Sequence, residues 1–151
     1  MGLDADVRLL SGVRPFDVLP REALQLIAFS CARRRLGAGE SLFTAGEAAD
    51  GAFFVLEGEV VLRARGATRR IALGGLIGES ALMTDTLRPA DAAAPDGAEV
   101  LHIPRETFRR VLSEFPESAA KIAKGSSRRT HALIDRLETI RRRSFPAEGS
   151  Q

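Results

Sequence analysis

Apolar residues recur at helical spacing in three parts of the chain. Between Pro20 and Cys31 they lie three and four positions apart behind a proline suited to a first helical turn, which predicts a short amphipathic helix. From Phe108 to Phe115 they fall at i, i+3, i+4 and i+7, which predicts a second helix interrupted by Pro116. A longer helical pattern over 117–143 has a narrow, heptad-like seam, and this seam favours pairing with a second copy of the chain over folding back.

Between these helical patterns, strand-sized apolar runs are separated by glycine turns about every 8 to 12 residues, which is typical of an antiparallel sandwich or barrel. Val55 to Leu62 is interpreted as a hairpin with Gly58 in its tight turn. Further strands are predicted at Ser41–Phe43, Arg69–Leu73 and Glu99–Ile103, with a weaker candidate at Ala90–Ala94.

Residues 77–90, called the cassette below, interrupt this strand pattern with a different arrangement. Gly78 is followed by the carboxylate of Glu79, and Arg88 comes nine residues later. These side chains can meet if the chain makes one short helical turn and then re-enters a strand. Since the start of a helical turn directs backbone amides towards an anion, the spacing predicts a site for a sugar phosphate.

Composition excludes several kinds of site. The chain has 151 residues and 44% apolar content, enough for one domain and an appendage. A single cysteine, Cys31, excludes a disulfide framework, a thiolate zinc site and an iron–sulfur cluster, and is expected to be a small buried hydrophobe. His102 and His131 lie far apart, so both are interpreted as structural and no metal site is expected. No nucleophile is paired with a base, so we expect no enzyme activity.

Charge is unevenly distributed along the chain. Residues 1–120 carry a net charge of −3 and residues 121–143 a net charge of +6. A basic run such as 141–143 can bind an anionic partner, but a solvated helix end that complements the helix dipole is the favoured interpretation. No membrane-length apolar window and no secretory leader are recognisable, so a cytoplasmic location and no membrane partner are expected.

Four stretches resemble, in order and spacing, the cyclic nucleotide-binding domains of catabolite-activator-type regulators, protein kinase A regulatory subunits and gated channels. They are 39–47 (GESLFTAGE), 53–60 (FFVLEGEV), 78–90 in the cassette, and 103–108 (IPRETF) entering a helix that ends at Phe115-Pro116. The resemblance implies an α+β, mainly β fold: an antiparallel, jelly-roll-like β-roll with a short N-terminal helix and two C-terminal helices. The expected boundaries are 8–115 for the roll, 116–144 for a C-terminal dimerisation or lid helix and 145–151 for a frayed tail.

The same resemblance implies roles for cassette residues. Glu79 matches the glutamate that accepts the ribose 2′-hydroxyl, and Arg88 matches the arginine that pairs with the cyclic phosphate. Gly78 allows the phosphate to approach the backbone closely. The turn starting at Ser80 is expected to direct free amides of Ala81 and Leu82 at the phosphate. The expected binding residues are therefore Gly78, Glu79, Ser80, Ala81, Leu82, Arg88, Pro89 and Ala90.

Three positions depart from the family pattern. Pro89 has no N–H, so one phosphate contact is missing. Asp91 either points outward or adds negative charge beside the site. Leu133 and Ile134 stand where related dimers present a Thr-Ser pair to the adenine; they can cover a purine as a lid but cannot read its hydrogen-bonding edge.

Two classes of function follow. The first is a homodimeric sensor that binds cAMP, cGMP or a related cyclic nucleotide and signals through its C-terminal helix to an unidentified protein partner. The second is a nucleotide-free roll that acts as a dimerisation or interaction scaffold; a site for a different small anion is a third option. Only eight residues follow Arg143, so no helix-turn-helix fits and no direct DNA binding is expected.

Overall fold

The structure is a computed structural model, and it describes residues 2–124. Three α-helices lie at the two ends of the described chain, and residues 116–124 are also helical. The helices are α1 (Leu3–Leu10), α2 (Arg21–Ser30) and α3 (Arg105–Ser113), with 3-10 turns at Phe16–Val18 and Glu79–Leu82. The remainder of the predicted C-terminal helix, with His131, Leu133, Ile134 and the tail 145–151, lies outside the described residues.

Nine strands lie between α2 and α3 in the described part of the chain. They are β1 (Ala32–Leu36), β2 (Glu40–Phe43), β3 (Ala48–Ala49), β4 (Gly51–Ala64), β5 (Ala67–Ala72), β6 (Leu76–Ile77), β7 (Thr86–Leu87), β8 (Asp91–Ala94) and β9 (Ala98–Pro104). Every pairing is antiparallel, with the order β1-β9-β4-β8-β2, while β5 and β6 also pair with β4 and β3 pairs with β7. The mainly β, antiparallel roll predicted from the sequence is confirmed.

The predicted hairpin at Gly58 is wrong. Gly58 has a φ of 78°, but it lies inside the continuous strand β4, and the actual turn falls at Arg65 and Gly66, between β4 and β5. A register shift between Val55 and Glu57 marks a bulge just before Gly58. Up to Gly58 β4 pairs with β9 and, near its start, with β6; from Glu59 onwards it pairs with β5 and β8. The positive φ therefore lets one strand bend from one half of the roll into the other.

Two apolar clusters lie on opposite faces of the strands. Along β4, Phe53 and Val55 enter the cluster inside the roll, while the alternate residues Ala52 and Phe54 enter the cluster beneath the helices. This two-sided burial explains why the first half of β4 is an unbroken apolar run. The cluster inside the roll lies next to the cassette, because Ile77 belongs to it.

Helix α1 was not predicted, since the apolar pattern places the first helix at 20–31. Its Val7 and Leu10 are buried against the helical cluster, although they form only a short stripe. The buried carboxylate of Asp6 pairs with Arg33 on β1, which also donates to Glu99 at 3.3 Å. Tertiary contacts of this kind stabilise a helix too short to form alone. The predicted helices at 20–31 and 108–115 and the predicted strands at 41–43, 69–73, 90–94 and 99–103 are confirmed within a few residues.

Candidate functional site

The cassette follows the path expected from its spacing. After β6 the chain turns at Gly78, whose φ of 77° places it in the left-handed region. One 3-10 turn then covers Glu79–Leu82, and the chain re-enters a strand at Thr86 before reaching Arg88. The short helical turn and the return to a strand are therefore confirmed.

Arg88 is the central side chain of this site. It is 5% exposed, and its guanidinium carbon lies 4.5 Å from the ring centre of Phe43 and 5.3 Å from that of Phe53. Its Nη1 also faces Gly78, where a β-carbon would lie only 2.6 Å away. Stacking on two aromatic rings and close approach to a glycine fix the plane of the guanidinium.

The electrostatics of Arg88 are unbalanced. Among the described residues, the carboxylate that pairs with it is Asp50, whose Oδ1 lies 3.8 Å from Nη2, beyond hydrogen-bond distance. Burial lowers the pKa of the Arg88 guanidinium, while Asp50 and Glu47 act in the opposite direction. The lowered pKa shows that the desolvation cost of the charge is incompletely offset.

His102 extends this cluster. Its Nε2 lies 3.1 Å from the same Asp50 oxygen, and its ring stacks on Phe53 at 4.8 Å between ring centres and 19° between planes. His102 is 27% exposed and lies on the face of β9 directed into the roll, beside Phe53 of β4. The structure thus brings His102, Asp50, Phe53 and Arg88 together.

Backbone hydrogen bonds hold Arg88 in place. Its amide donates to the Glu47 carbonyl at 2.8 Å, and its carbonyl accepts from the Gly46 amide at 2.9 Å. These bonds tie the end of the cassette to the loop before β3. The position of the guanidinium is therefore set by two chain segments that are distant in sequence.

A second arginine, Arg105 at the start of α3, holds the other end of the cassette. Its Nη1 donates to the carbonyls of Ala49, Ala81 and Thr84 at 3.0, 2.9 and 3.1 Å, and its Nη2 donates to the Asp85 carboxylate. One guanidinium thus joins the end of β3, the 3-10 turn and the loop after it. Arg109, one turn later in α3, makes a single contact of this kind, to the Met83 carbonyl at 3.2 Å.

The predicted cassette residues have different surroundings. Glu79 is half-buried at the start of the 3-10 turn, and Ser80 is exposed. Ala81 and Leu82 are buried, and the Ala81 amide donates to the Gly78 carbonyl at 3.0 Å. The prediction of a free Ala81 amide is therefore wrong, because closing the 3-10 turn uses that donor.

The residues after Arg88 also answer a question left open by the sequence. Pro89 is exposed and Ala90 is half-buried. Asp91 is exposed, whereas Ala92 next to it is buried in the roll. Since the Asp91 carboxylate accepts from the Ala45 amide at 2.8 Å, this side chain points outward and does not oppose an anion inside the roll.

Other kinds of site are not found in residues 2–124. Groups of three or more His, Cys, Asp or Glu side chains that could hold a metal ion are absent from that range. Cys31 is buried in the helical cluster, as expected. None of the described helices is both long and apolar enough to cross a bilayer.

A comparison with known families gives the roll its identity. The sequence profile of the cyclic nucleotide-binding domain matches residues 33–115, more than half of the chain. The chain belongs to this family. The match runs from β1 to just beyond α3, so this cyclic nucleotide-binding domain includes the cassette and both arginines described above.

Individual relatives agree with this assignment. A cyclic nucleotide-binding-like protein from Brucella abortus is 35% identical, with a TM-score of 0.65 over 72% of this chain and 97% of that one. The N-terminal domain of a transcriptional regulator from Streptomyces coelicolor A3(2) has a TM-score of 0.73 over 85% of this chain and 94% of that one; at 24% identity it supports the fold alone. A lysophospholipase NTE1 from Chaetomium globosum is 30% identical over 140 residues, covering 89% of this chain. The chain spans only 9% of that fungal protein's length.

Four side chains of the site were not predicted from the sequence, namely Phe43, Asp50, Phe53 and His102. The two phenylalanines were assigned to strands, and nothing in the pattern shows that both rings meet one arginine. Asp50 and His102 are 52 positions apart and come together only through the pairing of β4 with β9. A useful signal was present nonetheless, because Asp50 directly precedes a buried strand, where loop residues often carry function.

Proposed function

We propose that this domain binds a cyclic nucleotide, with the cyclic phosphate at Arg88 and the ribose hydroxyl at Glu79. The observation that carries the proposal is Arg88 itself, a guanidinium 5% exposed, stacked on two rings, with its paired carboxylate oxygen at 3.8 Å. A buried guanidinium whose paired carboxylate oxygen lies beyond hydrogen-bond distance is incompletely stabilised. A bound anion would add short, charged hydrogen bonds to it.

A phosphodiester fits this guanidinium well. The planar fork can donate to two oxygens at once, and each charged hydrogen bond contributes on the order of 1.5 to 3 kcal/mol. Gly78 leaves the surface beside Nη1 free of a side chain. The outward orientation of Asp91 also removes a source of repulsion that the sequence had left open.

The sugar is assigned to Glu79 by its position. It is the first residue of the 3-10 turn and directly follows the left-handed Gly78, so its backbone is fixed relative to Arg88. A carboxylate accepts hydrogen bonds strongly from hydroxyl groups. Pro89 supplies no amide, and the Ala81 amide is bonded to Gly78, so the proposed phosphate contacts rely mainly on the Arg88 side chain.

The regulatory part of the proposal concerns the C-terminal helix. We infer that the domain is a non-enzymatic sensor, that it forms a homodimer through this helix, and that occupancy of the cassette is passed to a protein partner. Leu133 and Ile134 are assigned to a lid over the base, and the cytoplasmic location stays a prediction. Light scattering should give a dimer for the full chain and a monomer for a chain ending at Lys124, which keeps the buried Ile122. Equal masses would contradict the dimer helix.

A thermal-shift panel tests the ligand class. We expect cAMP or cGMP at millimolar concentration to raise the melting temperature of the wild-type chain, and Arg88→Gln to abolish the rise while the ligand-free protein still unfolds cooperatively. Arg69→Gln is the matched control, since Arg69 is an exposed arginine on β5. No rise with either nucleotide, but a rise with a cyclic dinucleotide or another small anion, would reassign the ligand. No rise with any of them would favour the scaffold function.

A further inference from the structure

We infer that His102 is a positioning residue that acts through Asp50 on Arg88 and makes anion binding stronger at low pH. The inference rests on the proposed function, because it concerns the affinity of the same site. It deepens that function by assigning a role to a histidine outside the cassette.

The contacts place two basic groups on one carboxylate oxygen. Asp50 Oδ1 lies 3.1 Å from Nε2 of His102 and 3.8 Å from Nη2 of Arg88. The His102 ring stacks on Phe53, and the Arg88 guanidinium lies over the same ring at 5.3 Å. His102 and Arg88 therefore share both a counter-ion and an aromatic support.

The backbone holds this arrangement in place. The Asp50 carbonyl accepts from the Arg105 amide at 2.6 Å, which fixes the loop between β3 and β4. His102 lies in a central strand, paired with Phe53 on one side and Ala32 on the other. The backbones of Asp50 and His102 are therefore both held, and the Asp50 carboxylate, 67% exposed, contacts the His102 ring from this loop.

The surrounding charged groups do not replace Asp50. Glu47 lies in the loop before β3 and Arg105 begins α3, while Arg33 on β1 is already engaged by Asp6 and Glu99. Further along β1, Arg34 pairs with Glu40 at 3.7 Å. Of these groups, Asp50 is the carboxylate in contact with both His102 and Arg88.

The direction of the effect follows from the charges. With a neutral imidazole, Asp50 is balanced chiefly by Arg88 and competes with an anionic ligand for that guanidinium. With an imidazolium, His102 balances Asp50, and the site carries one more positive charge for the ligand. Histidine is the side chain that ordinarily changes charge between about pH 5 and 8. Since binding and protonation are linked reciprocally, a bound anion must favour protonation of His102 to the same extent.

Calorimetric titration with cAMP from pH 5.5 to 8 tests this inference, because a cyclic phosphodiester stays a monoanion over that range. We expect the wild-type affinity to fall by about five-fold or more as the pH rises, the lower end of ordinary coupling between sites. His102→Gln, which keeps a polar group on Asp50, should flatten the profile. His131→Gln, the other histidine of the chain, should leave it unchanged. Asp50→Asn should also flatten it and bind more tightly than wild type at pH 8.

Two outcomes would overturn the inference: a pH profile in His102→Gln that matches wild type, or loss of the profile in His131→Gln. If wild type binds no cyclic nucleotide at any pH, the proposed function fails. The contact between His102 and Asp50 is then tested in the ligand-free protein. The His102 ring resonances, followed by NMR against pH, should then change their titration curve in Asp50→Asn and not in Asp91→Asn. An unchanged curve in Asp50→Asn would overturn the pairing itself.

Discussion

The guanidinium of Arg88 packs directly against the backbone of Gly78. A β-carbon at position 78 would lie 2.6 Å from Arg88 Nη1, closer than non-bonded atoms tolerate, and Gly78 also has a φ of 77°. Gly78 and Arg88 therefore pack in close contact, which a side chain at position 78 would disturb. This contact explains why the cassette has a glycine where a ligand and an arginine both approach the chain.

Replacing Gly78 with alanine should damage both the fold and the site. We expect a loss of about 1 to 2 kcal/mol in the free energy of unfolding from the left-handed backbone alone, and a further loss of cyclic nucleotide affinity because Arg88 must move. Gly39→Ala is the matched control, since Gly39 has a φ of 79° but nothing within 4 Å of an added β-carbon. Urea unfolding and calorimetry should show that Gly39→Ala loses stability and retains affinity. Equal affinities in the two variants would contradict the fitted contact.

Arg105→Gln should loosen the cassette. Its guanidinium donates to three carbonyls that belong to two separate segments, and its side chain is 15% exposed. We expect a loss of about 2 to 3 kcal/mol, since hydrogen bonds from a charged donor are the stronger kind. The backbone amides of residues 79–85 should exchange their hydrogens faster in Arg105→Gln than in the wild-type chain.

Arg109→Gln provides the comparison for this prediction, because Arg109 contacts the cassette only at the Met83 carbonyl. Its effect on stability should stay below about 1 kcal/mol. Similar exchange rates at residues 79–85 in both variants would show that Arg105 does not order the cassette.

Gly58→Ala should destabilise the roll more than Gly39→Ala does. At position 58 an added β-carbon would lie 2.5 Å from the Gly97 carbonyl oxygen and 2.9 Å from the Ala98 α-carbon, in addition to the positive φ. Because these neighbours are backbone atoms at the start of β9, which pairs with β4, we expect a loss of about 3 kcal/mol. A difference of under about 0.5 kcal/mol between the two variants in urea unfolding would contradict the role of Gly58 as the bend in β4.

Cys31 should be unreactive in the folded protein. Burial raises the pKa of its thiol to about 12, so the nucleophilic thiolate is scarce near neutral pH. The stability linked to this group is complete below the ordinary pKa of 9.0 and is lost as the pH rises towards about 12. A disulfide reagent at pH 8 should label Cys31 slowly in buffer and rapidly in urea. Rapid labelling of the folded chain would show that Cys31 is accessible.

Glycine spacing and apolar periodicity are local signals, so they predicted an antiparallel sandwich or barrel, and the family resemblance specified a roll. Gly58 shows their limit: a positive φ is compatible with a tight turn and with a bend inside a long strand, and the pairing of β4 with β8 and β9 decides between them. The short helix α1 escaped prediction because its stability depends on contacts such as Asp6 with Arg33. Propensity alone does not show contacts between distant segments.

The candidate site was predictable to a similar extent. Gly78, Glu79 and Arg88 lie close together in sequence, so their spacing alone predicted a turn between them. The structure has that turn at Glu79–Leu82. The support around Arg88 comes from Asp50, Phe53 and His102, which strand pairing brings together. Single-sequence patterns report spacing along the chain, so contacts across strands need the fold.

A calorimetric titration of the wild-type chain with cAMP and cGMP, repeated on Arg88→Gln and Arg69→Gln, tests the central claim most directly. We expect saturable binding of at least one cyclic nucleotide, retention of that binding in Arg69→Gln, and a loss of about ten-fold or more in Arg88→Gln, as befits removal of a charged hydrogen bond of at least about 1.4 kcal/mol. Absence of binding by the folded wild-type chain, or equal affinity in Arg88→Gln, would contradict it.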